Sequence, residues 1–213
     1  GVNNTAKGDY GASLGGSGNT ASGNYSFVGG GGGNTASGTY SIIGGGTSNT
    51  SSGNYSFVGG GCKNTSSGNT STISGGYCNI TNARMSFIGG GHRNIIQSPT
   101  NECCSLGVTI GGGIGHNTSG GTFNTTTGLL TGAITCCNAG RLSTIGGGFR
   151  NCATGPLSTI GGGFINTASN YYTTVGGGYC NTASGNYATI GGGNNNTASC
   201  NSATVGGCLL YTS

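Results

Sequence analysis

An asparagine returns every 15 residues along this chain, at Asn4, Asn19, Asn34, Asn49, Asn64, Asn79 and Asn94, and again at Asn151, Asn166, Asn181 and Asn196. The fullest copies, 19–33, 49–63 and 181–195, share the pattern N-T-A-S-G-N-Y-S-x-(I/V)-G-G-G-x-x. An apolar residue recurs in step: Val28, Ile43, Val58, Ile73, Ile88, Ile110, Leu130, Ile145, Ile160, Val175, Ile190 and Val205. A short strict period confines the chain to folds in which one unit is one supersecondary element and stacked units share a core.

The unit is built from residues that disfavour helix, with 52 glycines and Asn, Ser and Thr around them. Sequence this polar and glycine-rich ordinarily stays disordered, because it buries too little apolar surface to offset chain entropy. The repeat changes that balance, since identical units stack and share hydrogen bonds. Each unit holds two short alternating stretches, N-T-A-S and Y-S-x-I, each followed by Gly, which is expected to supply the positive φ of the corners. The fold class this predicts is all-β, a β-solenoid with two short parallel strands per 15-residue coil and about 13 coils. At roughly 4.8 Å per coil, such a rod is on the order of 60 Å long.

Alternation also assigns faces. The opening Asn, the Ala, the Ser after Tyr and the Ile/Val point inward; Thr and Ser of the first stretch point outward, as do Tyr25, Tyr40, Tyr55, Tyr172 and Tyr187 of the second. Inward asparagines are expected to bond from coil to coil, as Asn ladders do in cross-β stacks. The steps from Ile88 to Ile110 and from Ile110 to Leu130 exceed 15, which predicts two adjacent loop insertions. The organisation is therefore regular coils over 1–93, coils with two insertions over 94–137, regular coils over 138–208, and a non-repeat tail, 209–213, that is a candidate for non-native sequence. Pro99, Asn101, Glu102, Cys103 and Cys104 of the first insertion form a candidate binding loop, because solenoid insertions gather on one face and often carry recognition.

Composition removes several function classes. Lys and Arg number 6 and Asp and Glu 2, and the basic residues are scattered, so no phosphate-binding track is expected and no nucleic-acid partner. With Asp9 and Glu102 as the whole carboxylate inventory, a general acid/base pair and a carboxylate metal cage lack parts. The glycine runs lack the contexts of phosphate-binding loops. The expectation is no enzyme, no catalytic residue, no metal, no cofactor and no membrane insertion.

The 10 cysteines favour disulfides in an oxidising compartment over metal binding. Cys137 and Cys152 fall at one repeat position a coil apart, and Cys62 and Cys78 on adjacent coils one position out of register, so both pairs are disulfide candidates. N-glycosylation sequons are frequent in this composition, and the faces discriminate among them. Asn49, Asn64 and Asn79 are inward and blocked; Asn24, Asn54 and Asn69, at the mid-coil corner, are the glycosylation candidates, with Asn117 and Asn124 in the insertions next.

The motif N-T-A-S-G-x-Y-S-x-(I/V)-G-G-G resembles the β-roll head repeats of trimeric autotransporter adhesins, over nearly the whole chain. Those repeats are usually closer to 14 residues and richer in Ala, and the triple-Gly corner and the cysteines depart from them. The coil architecture is also similar to that of plant ice-binding solenoids. Both resemblances imply an extracellular rod without an active site. The function expected is an extracellular or cell-surface structural fibre or adhesin segment that is glycosylated and associates with itself as a homo-oligomer or filament. The alternatives are an ice-binding solenoid, using the T-x-S array, and a carbohydrate-binding tail-fibre shaft, using the Tyr face and the 99–104 loop.

Overall fold

A computed structural model describes residues 1–97, 106–116, 122–123, 130–131 and 140–207. The chain is an all-β parallel β-solenoid, as the sequence predicts, of about 11 turns of about 15 residues. It divides into two compact units, Gly1–Arg93 and Asn94–Ser213.

In the first unit the coils opened by Asn4 to Asn79 each contribute one strand to each of two parallel sheets. The first strands run from Thr5–Ala6 through Thr20–Ala21, Thr35–Ala36, Thr50–Ser51 and Thr65–Ser66 to Ile80–Thr81. The second run from Ala12–Ser13 through Phe27–Val28, Ile42–Ile43, Phe57–Val58 and Thr72–Ile73 to Phe87–Ile88. Register is fixed at one repeat, Thr20 opposite Thr35 and Val28 opposite Ile43, so equivalent residues lie in columns. A third line of pairing, absent from the sequence reading, joins single residues after the triple-Gly corner: Ser17, Gly32, Thr47, Cys62, Tyr77 and His92 bridge in succession.

The core is as the alternation dictates. Ala21, Ala36, Val28, Ile43, Val58, Ile73 and Ile88 are fully buried, and so are Asn19, Asn34, Asn49, Asn64 and Asn79. Burying each Ile or Val stabilises the stack by roughly 1.5–3 kcal/mol, but a core one residue deep leaves much of the cohesion to hydrogen bonds.

The corners correct the sequence reading. The mid-coil glycines Gly23, Gly38, Gly53 and Gly68 do not adopt positive φ; the residue two positions later does, at Tyr25, Tyr40 and Tyr55 (φ 57) and at Thr70 (φ 58). Gly23 is needed for a different reason: a Cβ there would overlap the carbonyl oxygen of Gly38 in the next coil. The third glycine of the triple does carry positive φ, 88 at Gly31 and 86 at Gly46.

In the second unit the second strands Thr109–Ile110, Thr144–Ile145, Thr159–Ile160, Thr174–Val175, Thr189–Ile190 and Thr204–Val205 form one parallel sheet. Cys152–Ala153, Thr167–Ala168, Thr182–Ala183 and Thr197–Ala198 form the other. Ile110 pairs directly with Ile145. The expectation that Leu130 stands in this column is therefore corrected: Leu130 instead pairs with Phe123 in a short antiparallel ladder, Thr122–Phe123 with Leu130–Thr131. The column therefore runs from Ile110 directly to Ile145.

Candidate functional site

The solenoid sorts its side chains into inner columns that hold the stack and outer columns available to a partner. The inner asparagine column is structural. The side-chain Nδ2 of Asn49 donates to the carbonyls of Gly45 and Gly61, both at 3.0 Å, and its Oδ1 accepts from the Asn64 N–H at 2.9 Å. Asn19, Asn34 and Asn64 bind their own corner and the backbone of the next coil in the same way, which satisfies groups that would otherwise be buried without partners.

In the second unit His116 occupies this column. It is fully buried, and its backbone N–H donates to Asn94 Oδ1 at 3.1 Å. Its Nδ1 accepts from the Asn151 N–H at 3.1 Å, in the role of asparagine Oδ1. Its Nε2 stands beside the carbonyls of Gly112 and Gly148, the places taken by the acceptors of asparagine Nδ2, without completing a hydrogen bond to either. Burial is the dominant influence and lowers its pKa from 6.5 to about 4. Only the 35-residue step to Asn151 reveals His116 as an asparagine substitute.

On the outside, the tyrosines stack. Ring centroids are 4.9 Å apart for Tyr10–Tyr25, 4.7 Å for Tyr25–Tyr40 and 5.0 Å for Tyr40–Tyr55, with planes within 9° of parallel. Tyr172 and Tyr187 repeat the arrangement at 5.1 Å. Interior rings cover one another's faces, so the row offers edges and hydroxyls to a partner. A second aromatic column, missed in the sequence although visible as Phe and Tyr at one repeat position, stacks Phe149, Phe164 and Tyr179, with the Arg150 guanidinium 4.9 Å from the Phe149 ring centre. On the first-strand face Thr20, Thr35, Thr50 and Thr65 stand in register, half-buried, and Ser22, Ser37, Ser52 and Ser67 are exposed two residues further on.

Of the glycosylation candidates, Asn24 and Asn54 are exposed and Asn69 is half-buried. Their Oδ1 atoms accept from the backbone N–H of Asp9, Thr39 and Asn54 respectively, at 3.1–3.2 Å. The hydroxyls of the matching sequons, Ser26, Ser56 and Ser71, are buried. Asn117 and Asn124 lie outside the described residues, as do Pro99, Asn101, Glu102, Cys103 and Cys104.

Cys62 and Cys78 meet through the backbone, the Cys78 N–H donating to the Cys62 carbonyl at 2.9 Å, and both are free thiols. Cys152 is also free, and burial pushes its thiol up to about 11, which keeps it protonated and unreactive near neutrality. Cys137, its expected disulfide partner, lies outside the described residues.

Among the described residues no three His, Cys, Asp or Glu side chains gather to hold a metal ion, and no helix is long and apolar enough to cross a membrane. No family model matches the chain, and no curated protein matches it.

Proposed function

We propose that the chain is a non-catalytic, extracellular structural or adhesive segment, of the kind its likeness to adhesin head repeats implies, which works by presenting rows of identical groups at the coil spacing. The observation that carries this reading is the tyrosine row Tyr10–Tyr25–Tyr40–Tyr55, four equivalent side chains in line at 4.7–5.0 Å. A surface of this type contacts a partner many times weakly, and the partner with the same spacing is another copy of the stack. Glycans at the exposed corner asparagines fit an extracellular location.

The test is sedimentation and electron microscopy of the purified chain over a range of concentrations, with a parallel cell-surface binding assay. Concentration-dependent filaments or surface binding are expected. A chain that stays monomeric at high concentration and binds no surface overturns the proposal.

A second reading, an ice-binding module, draws on the Thr20–Thr35–Thr50–Thr65 row and its companion serines, a regular hydroxyl array. Inhibition of ice recrystallisation supports it, and its absence removes it. Carbohydrate recognition by the Tyr face would have to use ring edges and hydroxyls, since stacking on the faces of Tyr25 and Tyr40 is blocked by their neighbours.

A further inference from the structure

We propose that the row Tyr10–Tyr25–Tyr40–Tyr55 is a site of oxidative modification, at which neighbouring tyrosines join by carbon–carbon bonds into dityrosine under hydrogen peroxide and a haem peroxidase, fastening successive coils together. The inference goes beyond a fibre or adhesive role and does not require the chain to associate.

Accessibility comes first. The four residues are 81%, 46%, 43% and 62% exposed, so an external oxidant reaches each phenol. Proximity comes second. Adjacent rings are nearly parallel with centroids 4.7–5.0 Å apart, so two phenoxyl radicals on neighbouring rungs meet by a tilt of the rings rather than by diffusion.

The backbone keeps them there. The N–H groups of Tyr25, Tyr40 and Tyr55 donate to the carbonyls of Asp9, Asn24 and Thr39 in the preceding coil, at 2.7–2.9 Å. Holding reactants in this way raises their effective concentration far above that of free phenols. The row also has an end: Thr70 follows Tyr55 in the column, with the same positive φ, and separates it from the oxidisable Met85. Cys62 and Cys78, which would quench radicals, belong to the columns beside the triple-Gly corner.

The chemistry balances. Each of two phenols gives up its O–H hydrogen, as proton and electron, to the peroxide-oxidised haem. The radicals couple at carbons ortho to oxygen, and the ortho hydrogens move to the oxygens to restore two phenols. One hydrogen peroxide becomes two waters, and the protein loses two hydrogens per bond formed.

The experiment treats the full chain, dilute enough to sediment as a single unassociated species, with horseradish peroxidase and limiting hydrogen peroxide, and follows dityrosine fluorescence, intact mass and linked peptides. Within-chain links Tyr10–Tyr25, Tyr25–Tyr40 or Tyr40–Tyr55 are expected. The variant Tyr25→Thr/Tyr55→Thr leaves Tyr10 and Tyr40 two coils apart, and Thr70 shows that the column accepts threonine. Its links from this row should fall by about tenfold or more, while the Tyr172–Tyr187 pair, untouched in the same molecule, reports that oxidation is intact, and an unchanged circular dichroism spectrum reports that the substituted coils are folded. Dityrosine found only between chains, row tyrosines consumed without within-chain links, or links between Tyr10 and Tyr40 undiminished in the variant would each overturn the proposal.

Discussion

His116 Nδ1 accepts the Asn151 N–H at 3.1 Å, and one coil later Asn151 Oδ1 accepts the Asn166 N–H at 2.9 Å. An imidazole thus stands in for a carboxamide. The exchange is not equivalent in acid, because only a neutral imidazole can accept at Nδ1.

The folded-state pKa of His116 is lowered to about 4 from 6.5. Stability from the neutral ring is therefore complete above pH 6.5 and is lost as pH falls from there through 4, where the unfolded chain takes up a proton that the folded chain refuses. The full loss is roughly 3 kcal/mol. His116→Asn should remove this slope and restore the Nδ2 bonds. Urea midpoints of both proteins at pH 7 and pH 4.5 check it; parallel slopes would show that His116 is not the group responsible.

The inner and corner asparagines should respond differently to truncation. Asn49→Ala leaves the Asn64 N–H and the carbonyls of Gly45 and Gly61 without their side-chain partners inside the stack; the expected cost is about 3–5 kcal/mol. Asn54→Ala loses one exposed bond from Thr39 N–H and should cost about 1 kcal/mol or less. Thermal denaturation of the two variants side by side measures the difference.

The triple glycine is not uniform. A Cβ on Gly44 would overlap the Gly59 carbonyl, and one on Gly46 the Gly61 carbonyl at a φ of 86, whereas a Cβ on Gly45 meets nothing within 4 Å. Gly45→Ala should be neutral or stabilising by up to about 1 kcal/mol, and Gly44→Ala and Gly46→Ala should disrupt the stack. Soluble yield and circular dichroism of the three variants decide it.

Much of this was legible in the sequence because the period of the repeat and the period of a strand act together. The 15-residue step fixes register, and the alternation within N-T-A-S and Y-S-x-I then places Asn34, Ala36, Ser41 and Ile43 inside. The corners were less legible, since close approach and positive φ both select glycine: Gly23 reads like Gly31 until the neighbouring coil is in place, and positive φ at Tyr25 has no signature in residue type. The path from Ile110 to Ile145 was misread because Leu130 offers the right hydrophobicity at nearly the right spacing, and one residue cannot reveal that its strand pairs antiparallel. His116 was hidden for the same reason, its partner lying 35 residues away.

In a glycosylating host, the inward asparagines Asn49, Asn64 and Asn79 should remain unmodified, because each is fully buried and bonded in the column. Glycan should fall on Asn24, Asn54 or Asn69. Asn54 and Asn69 occupy adjacent coils, roughly 4.8 Å apart along the stack, too close for two branched sugars, so a single molecule should carry one or the other. Peptide mapping before and after glycosidase treatment reads this out; sugar on Asn49 would mean that the modified chain does not adopt this coil.

The inward hydroxyls offer the sharpest comparison between coils. Ser56 Oγ lies 2.6 Å from Ser51 Oγ and donates to the Gly53 carbonyl at 2.7 Å. In the coil opened by Asn19, the position of Ser51 is taken by Ala21, and the buried Ser26 Oγ has no partner. Ser26→Ala should therefore be neutral or stabilising by about 1 kcal/mol, whereas Ser56→Ala strands Ser51 and should destabilise by about 1–2 kcal/mol. Adding Ser51→Ala to Ser56→Ala recreates the apolar pairing of Ala183 with Ala188, both fully buried in the second unit, and should recover most of the loss. A double-mutant cycle on Ser51 and Ser56 by urea denaturation isolates the coupling. Additive losses would show that the two hydroxyls do not depend on each other for satisfaction.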